Sequence, residues 1–197
     1  MKIVGVTCSP RCGGTTFQAM TACLAAAREV DSRVETVHLE LAEKRISPVV
    51  PKAPGSQDLQ IEIADDFAPM AALLADPAVG GLIIGTPVYF GTMTAQCKTF
   101  IDRLVMFYFK RTLCDRVGGA LAVGGGRNGG QEVTIQGIHA AMLILDMVIV
   151  SDGTQKAHFG GTLWSGIEGG LAADKLGLET ARNLGRRVAG VALKLRG

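Results

Sequence analysis

Short apolar runs rich in β-branched residues alternate along this chain with longer stretches of helical periodicity. The runs lie near 2–8, 33–39, 79–86, 117–124 and 146–151 and read as strands. Helical patterns lie near 16–29, 60–75, 95–109, 131–144 and 171–195. In the first of these, Phe17, Met20, Leu24 and Ala27 share a face. In the third, Cys97, Phe100, Ile101, Leu104, Val105 and Tyr108 follow the i, i+3, i+4, i+7 rule and predict one buried stripe. Strands alternating with helices predict an α/β fold, a parallel sheet with helices on both faces. Residues 45–58 are Pro-rich and aperiodic and read as an excursion, not a boundary. Residues 152–170 hold Gly153, Gly160, Gly161, Gly166, Gly169 and Gly170 and read as a long loop before the last helix. One domain over 1–197 is the simplest organisation.

Three strand-to-helix junctions carry the candidate chemistry. The first, Ser9-Pro10-Arg11-Cys12-Gly13-Gly14-Thr15-Thr16, sets hydroxyls, glycines and an arginine at a helix start. Free backbone N–H groups and the positive end of the helix dipole suit a phosphate there. Ser9, Thr15 and Thr16 add hydroxyl donors, and Arg11 adds a charged fork. The second junction is Pro87-Val88-Tyr89-Phe90-Gly91, an aromatic turn where a buried strand ends. In open α/β sheets that edge is the ligand edge, and a flat aromatic cofactor can lie on such a turn. The third runs Gly124-Gly125-Gly126-Arg127-Asn128-Gly129-Gly130-Gln131, where glycines let backbone approach a ligand closely.

Spacing excludes the commoner phosphate loops. The chain has no G-x-x-x-x-G-K-[ST] and no G-x-G-x-x-G after its first strand. Arg11 stands too close to Cys8 for a cysteine-based phosphatase loop.

Composition narrows the class further. The 197 residues are 48% hydrophobic with a net charge of +2, so no strong field draws the chain to nucleic acid or a membrane. Five cysteines without framework spacing read as a reduced, cytoplasmic protein. Residues 1–8 are too short an apolar start for a signal peptide, and the run 140–150 is too short to span a bilayer.

The motifs together resemble the NADPH-dependent FMN reductases and iron–sulfur flavoproteins of the flavodoxin-like class. SPRCGGTT is similar to their phosphate loop, with Thr15 where the family usually has Asn. GTPVYFGTMTAQCKTFIDR resembles their third-strand loop and helix, GGGRNGGQE their flavin loop, and DKLGLETARNLGRRVA their last helix. The resemblance implies a three-layer flavodoxin-like fold, a five-stranded parallel sheet of order 2-1-3-4-5, and FMN at the switch between strands one and three. It implies FMN bound by Ser9, Arg11, Gly13, Gly14, Thr15 and Thr16; by Pro87, Val88, Tyr89, Phe90 and Gly91; and by Gly124, Gly125, Gly126, Arg127, Gly130 and Gln131. It further implies electrons from NAD(P)H, passed to a small-molecule electron acceptor or redox protein, and a homodimer or homotetramer.

No iron–sulfur cluster is expected. A cubane cluster wants four thiolates, and Cys8, Cys12, Cys23, Cys97 and Cys114 are scattered. Cys12, at a helix start, is expected to have a lowered pKa. His38 and His139 read as structural, His158 as a substrate contact, and the basic residues from Arg182 to Arg196 as a solvated helix face.

Overall fold

The computed structural model describes residues 1–52, 59–60, 65–153 and 158–197. Its main sheet is built from β1 (Lys2–Thr7), β2 (Glu35–Glu40), β5 (Val79–Pro87) and β6 (Val117–Gly124), all parallel, in the order β2-β1-β5-β6. Two short strands share the far edge. β7 (Val148–Ile149) pairs with the start of β6 and β8 (Gly161–Trp164) with its end. Counting only the main parallel strands, this is the anticipated order 2-1-3-4-5, with the fifth position split in two.

Alternation along the strands separates two cores. Val4, Val6, Leu82 and Ile84 face α2 (Phe67–Ala75), α3 (Ala95–Arg103) and α5 (Gln131–Ile144). Ile3, Ile83, Leu121 and Val123 face α1 (Thr15–Arg28) and α6 (Lys175–Arg196). Every residue of β5 and β6 is buried, as expected of parallel strands covered on both sides. The result is a three-layer flavodoxin-like fold.

Several boundaries depart from the sequence expectation. The segment 152–170 is not all loop, because β8 lies within it. Gly160 and Gly161 let β8 come close: a Cβ at Gly160 would sit 2.1 Å from the Ala120 carbonyl oxygen. Residues 154–157 of that segment lie outside the described residues. The helix expected over 60–75 begins at Phe67. Leu59–Gln60 instead forms β4, antiparallel to β3 (Val50–Pro51), and 61–64 lie outside the described residues, as do 53–58 of the excursion. The helix over 95–109 is interrupted at Leu104, with α4 (Val105–Tyr108) following. Bonds of the i→i+3 kind at Leu104 and Phe107 turn the face, so Phe107 is buried while Tyr108 is exposed. The last helix starts at Lys175 after a short 3₁₀ turn, Gly170–Ala173.

One buried ion pair ties α3 to the segment leading into α2. The Asp65 carboxylate accepts from the Arg103 guanidinium and from the Ser47 and Phe67 amides. The guanidinium also lies 4.6 Å from the Phe67 ring centroid. Burial pushes the Asp65 carboxyl up, but Arg103 and the two amides outweigh it and hold it below the usual carboxylate range. Asp65→Asn is therefore expected to cost about 3–5 kcal/mol of stability at neutral pH, because it removes the carboxylate charge that faces the buried Arg103 guanidinium. A depressed carboxyl stabilises fully above its unfolded pKa and loses that contribution as pH falls through the folded value. Urea titrations of protein and variant should accordingly differ fully above about pH 4 and begin to converge only as pH falls below it.

Candidate functional site

All three predicted junctions meet at the carboxyl edge of the sheet. The Cys8 amide donates to the Gly85 carbonyl at 2.7 Å, so the first loop leaves beside the end of β5. Thr94 Oγ1 donates to the Cys8 carbonyl at 2.9 Å and also accepts the Cys97 amide as the N-cap of α3. The Val88 amide donates to Val123 at 2.9 Å, which joins the second loop to the third.

The first loop is folded by its own small residues. Ser9 is buried, and its hydroxyl accepts the Arg11 amide at 3.2 Å. Gly13 has φ +62, and a Cβ there would meet nothing within 4 Å. Gly14 is the N-cap of α1 and brings no side-chain cap. The opening amides of the helix are thus left for a ligand. Thr16 is buried, Thr15 is half-buried, and Arg11 is exposed with no ion pair among the described residues.

Glu40, at the end of β2, was not singled out from the sequence. Its Oε1 accepts the Gly13 amide at 2.8 Å and its Oε2 the Cys12 thiol at 3.5 Å. This hydrogen bond and charge raise the Cys12 pKa, which corrects the expectation of a lowered one. The carboxylate outweighs the helix terminus because it touches the sulfur directly.

The second loop is a tight turn. Tyr89 and Thr92 exchange backbone hydrogen bonds of 2.9 and 3.1 Å around Phe90 and Gly91. Phe90 has φ 49 and Gly91 φ 76, the left-handed pair of a type I′ turn. Phenylalanine rarely takes that conformation, and here its ring is fully exposed. Pro87, the last residue of β5, is buried and Val88 is half-buried, while Tyr89 is exposed.

The third loop packs on the second. Gly130 has φ +98, and a Cβ on it would lie 3.0 Å from Gly91 Cα. Gln131 is buried and turned inward: Nε2 donates to the Gly126 carbonyl at 2.7 Å and Oε1 accepts the Gly129 amide at 2.8 Å. Its side chain shapes the loop, and Gly124 is the glycine that makes room for it. Gly125 and Gly126 face open space. The Arg127 guanidinium lies 4.9 Å from the Trp164 ring centroid, and the indole N–H donates to the Gly125 carbonyl at 2.9 Å.

This donor set fits FMN. Uncapped amides, hydroxyls and Arg11 surround the start of α1, and the open Gly13, Gly91, Gly125 and Gly126 leave space beside the aromatic turn. A four-thiolate cluster does not fit. Cys8 and Cys97 are buried in one core, Cys23 in the other, and Cys12 and Cys114 lie apart toward solvent. Burial pushes the Cys23 thiol up to about 12 and the Cys8 thiol well up, whereas ligands must be thiolates. Among the described residues, no three His, Cys, Asp or Glu are grouped to hold a metal ion.

The histidines separate. His38 Nε2 lies 2.8 Å from Thr7 Oγ1, its ring is stacked on Phe17, and burial lowers its pKa. His139 is half-buried on α5, where burial lowers its pKa as well.

Comparison with known proteins agrees with this geometry. The NADPH-dependent FMN reductase family model matches residues 1–161. An iron-sulfur flavoprotein of Methanocaldococcus jannaschii is 40% identical over 191 residues, covering 97% of each chain. Another, of Methanosarcina thermophila, is 36% identical, covering 97% of this chain and 95% of that one. A flavodoxin, WrbA-like protein from Agrobacterium tumefaciens superposes with a TM-score of 0.65 at 23% identity, covering 98% of both chains. The chain belongs to the NADPH-dependent FMN reductase family and is an FMN-dependent oxidoreductase.

The contact between Glu40 and Cys12 is directly testable. Glu40→Gln removes the charge that raises the thiol pKa, so iodoacetamide should label Cys12 faster at neutral pH in the variant. Mass spectrometry of the labelled peptide gives the rate, and equal rates would assign the raised pKa to another group.

Proposed function

We propose that this member of the FMN reductase family takes electrons from NAD(P)H and passes them to a quinone, a free flavin, a metal ion or a redox protein. Bound FMN would supply the hydride and electron chemistry, and the protein supplies binding, orientation and electrostatics. Ser9, Arg11 and Gly13–Thr16 hold the phosphate; Pro87–Gly91 line one side of the ring; Gly124–Gly126, Arg127, Gly130 and Gln131 form the other side, Gln131 by shaping the loop. The observation that carries this reading is the direct tie of three ligand-type loops at the switch between β1 and β5.

The iron–sulfur cluster in the relatives' names is not carried over. The scatter of the five cysteines supports a flavin-only protein. A homodimer or homotetramer in the cytoplasm is part of the same proposal. Phe90, Phe159 and Tyr89 are exposed aromatics of the kind that subunit contacts cover.

Purified protein should release FMN on denaturation, carry no stoichiometric iron, and oxidise NADH or NADPH under steady-state conditions. Release of FAD, or no turnover with either nucleotide, would overturn the corresponding part. Arg11→Ala removes a charge-assisted contact of about 1.5–3 kcal/mol. Fluorescence titration should then show FMN affinity lower by about ten- to a hundredfold.

A further inference from the structure

A second cavity, of about 480 Å³, lies between the starts of α5 and α6 and beside β8. None of residues 9–16 or 87–91 lines it, but Arg127, Gly130 and Gln131 do, so it adjoins the third loop. Val133, Leu163, Trp164 and Leu176 give it an apolar wall, and Arg127 and His158 supply basic groups. That is the composition of a small-molecule site: an apolar lining with a few converging polar groups.

Three features give the cavity a preference. The helices α5 and α6 both begin at its wall; Asp174 caps α6, whereas α5 begins on Gly130 without a side-chain cap and turns its positive end there. Arg127 lies on the Trp164 indole and has no ion pair among the described residues. A guanidinium stacked in this way keeps its N–H edges for a planar anion.

The third feature is His158. Its Nδ1 is buried and lies 3.8 Å from the buried Asp152 Oδ2, and neither atom has a hydrogen-bond partner among the described residues. Asp152 is fully buried, and its other oxygen accepts the His158 amide at 2.6 Å. The carboxylate thus stands behind the imidazole while the rest of the ring lines the cavity.

The neighbouring charges are compatible with this. Asp174 has its oxygens engaged by the Trp164 and Gly177 amides, and Glu132 sits at the start of α5. Behind Asp152, a cleft on α6 carries Arg186, Arg187 and Lys194.

We propose that this cavity binds a small organic anion with a flat apolar body, an aromatic carboxylate. Arg127 supplies the cationic contact and His158 a ring nitrogen, and Trp164, Leu163, Val133 and Leu176 take the ring. The site goes beyond the flavin reading and shares Arg127, Gly130 and Gln131 of the third loop with it.

Trp164 is the only tryptophan of the chain and lines this cavity, so its emission reports binding there. Titration of the full-length protein, as purified, with phenylacetate should change that emission saturably, and the uncharged phenylacetamide should bind at least tenfold more weakly. Arg127→Gln should weaken phenylacetate by about ten- to a hundredfold. His158→Gln should weaken phenylacetate as well, since His158 lines the cavity. Circular dichroism matching the parent protein shows that both variants fold. Absence of a saturable response overturns the site, an equal response to the amide overturns its charge preference, and an unaltered Arg127→Gln or His158→Gln titration removes that residue from it.

Discussion

The site depends on one constraint: β1 and β5 lie side by side while the helices that follow them leave to opposite faces. Ile3 and Ile83 pack toward α1 and α6, whereas Val4 and Leu82 pack toward α2 and α3. Where neighbouring connections diverge in this way, a crevice opens at the carboxyl edge of the sheet. The strands beneath it are apolar and buried, so they offer a ligand nothing but a floor. Polar contacts must come from the loops, which is why Ser9, Thr15, Thr16 and the run of glycines stand there.

The loops are strained or under-satisfied in ways that the rigid sheet sustains. Phe90 takes a left-handed backbone conformation and exposes its ring, and such a position costs on the order of 1–3 kcal/mol. The helices α1 and α5 both begin on a glycine without a side-chain cap. By contrast, Thr94 caps α3 and Asp174 caps α6. The starts of α1 and α5 stand behind the first and third loops, where free amides suit a ligand, and α2 likewise begins without a side-chain cap. Stability is recovered away from the site, in the two cores and in buried contacts such as Asp65–Arg103.

Much of this was legible in the sequence because parallel strands buried on both faces read as unbroken apolar runs, as at Leu82–Ile84 and Ala120–Val123. The three junctions were legible because glycine, proline and hydroxyl residues punctuate those runs. Less visible was whatever depends on a partner distant in sequence. β8 is four residues long and led by two glycines, so only its pairing with β6 marks it as a strand. Glu40 looks like an ordinary strand residue until its carboxylate reaches Gly13 and Cys12 across the sheet edge. The inward turn of Gln131 and the caps at Thr94 and Asp174 are similar cases. A cap signal of Thr or Asp before a helical run was available at both caps.

The cysteines show how the same residue type takes different work within one family. Cys23 lies where α1 meets α6 so closely that a Cβ on Gly185 would sit 2.0 Å from its carbonyl oxygen. A thiol there is a small apolar filler, and burial keeps it protonated. Cys8 and Cys97 do the same in the opposite core. Cys12 is exposed at the phosphate loop, yet Glu40 holds its proton. The first loop therefore presents backbone amides and hydroxyls at the start of α1, and Glu40 fixes its shape through the Gly13 amide and the Cys12 thiol.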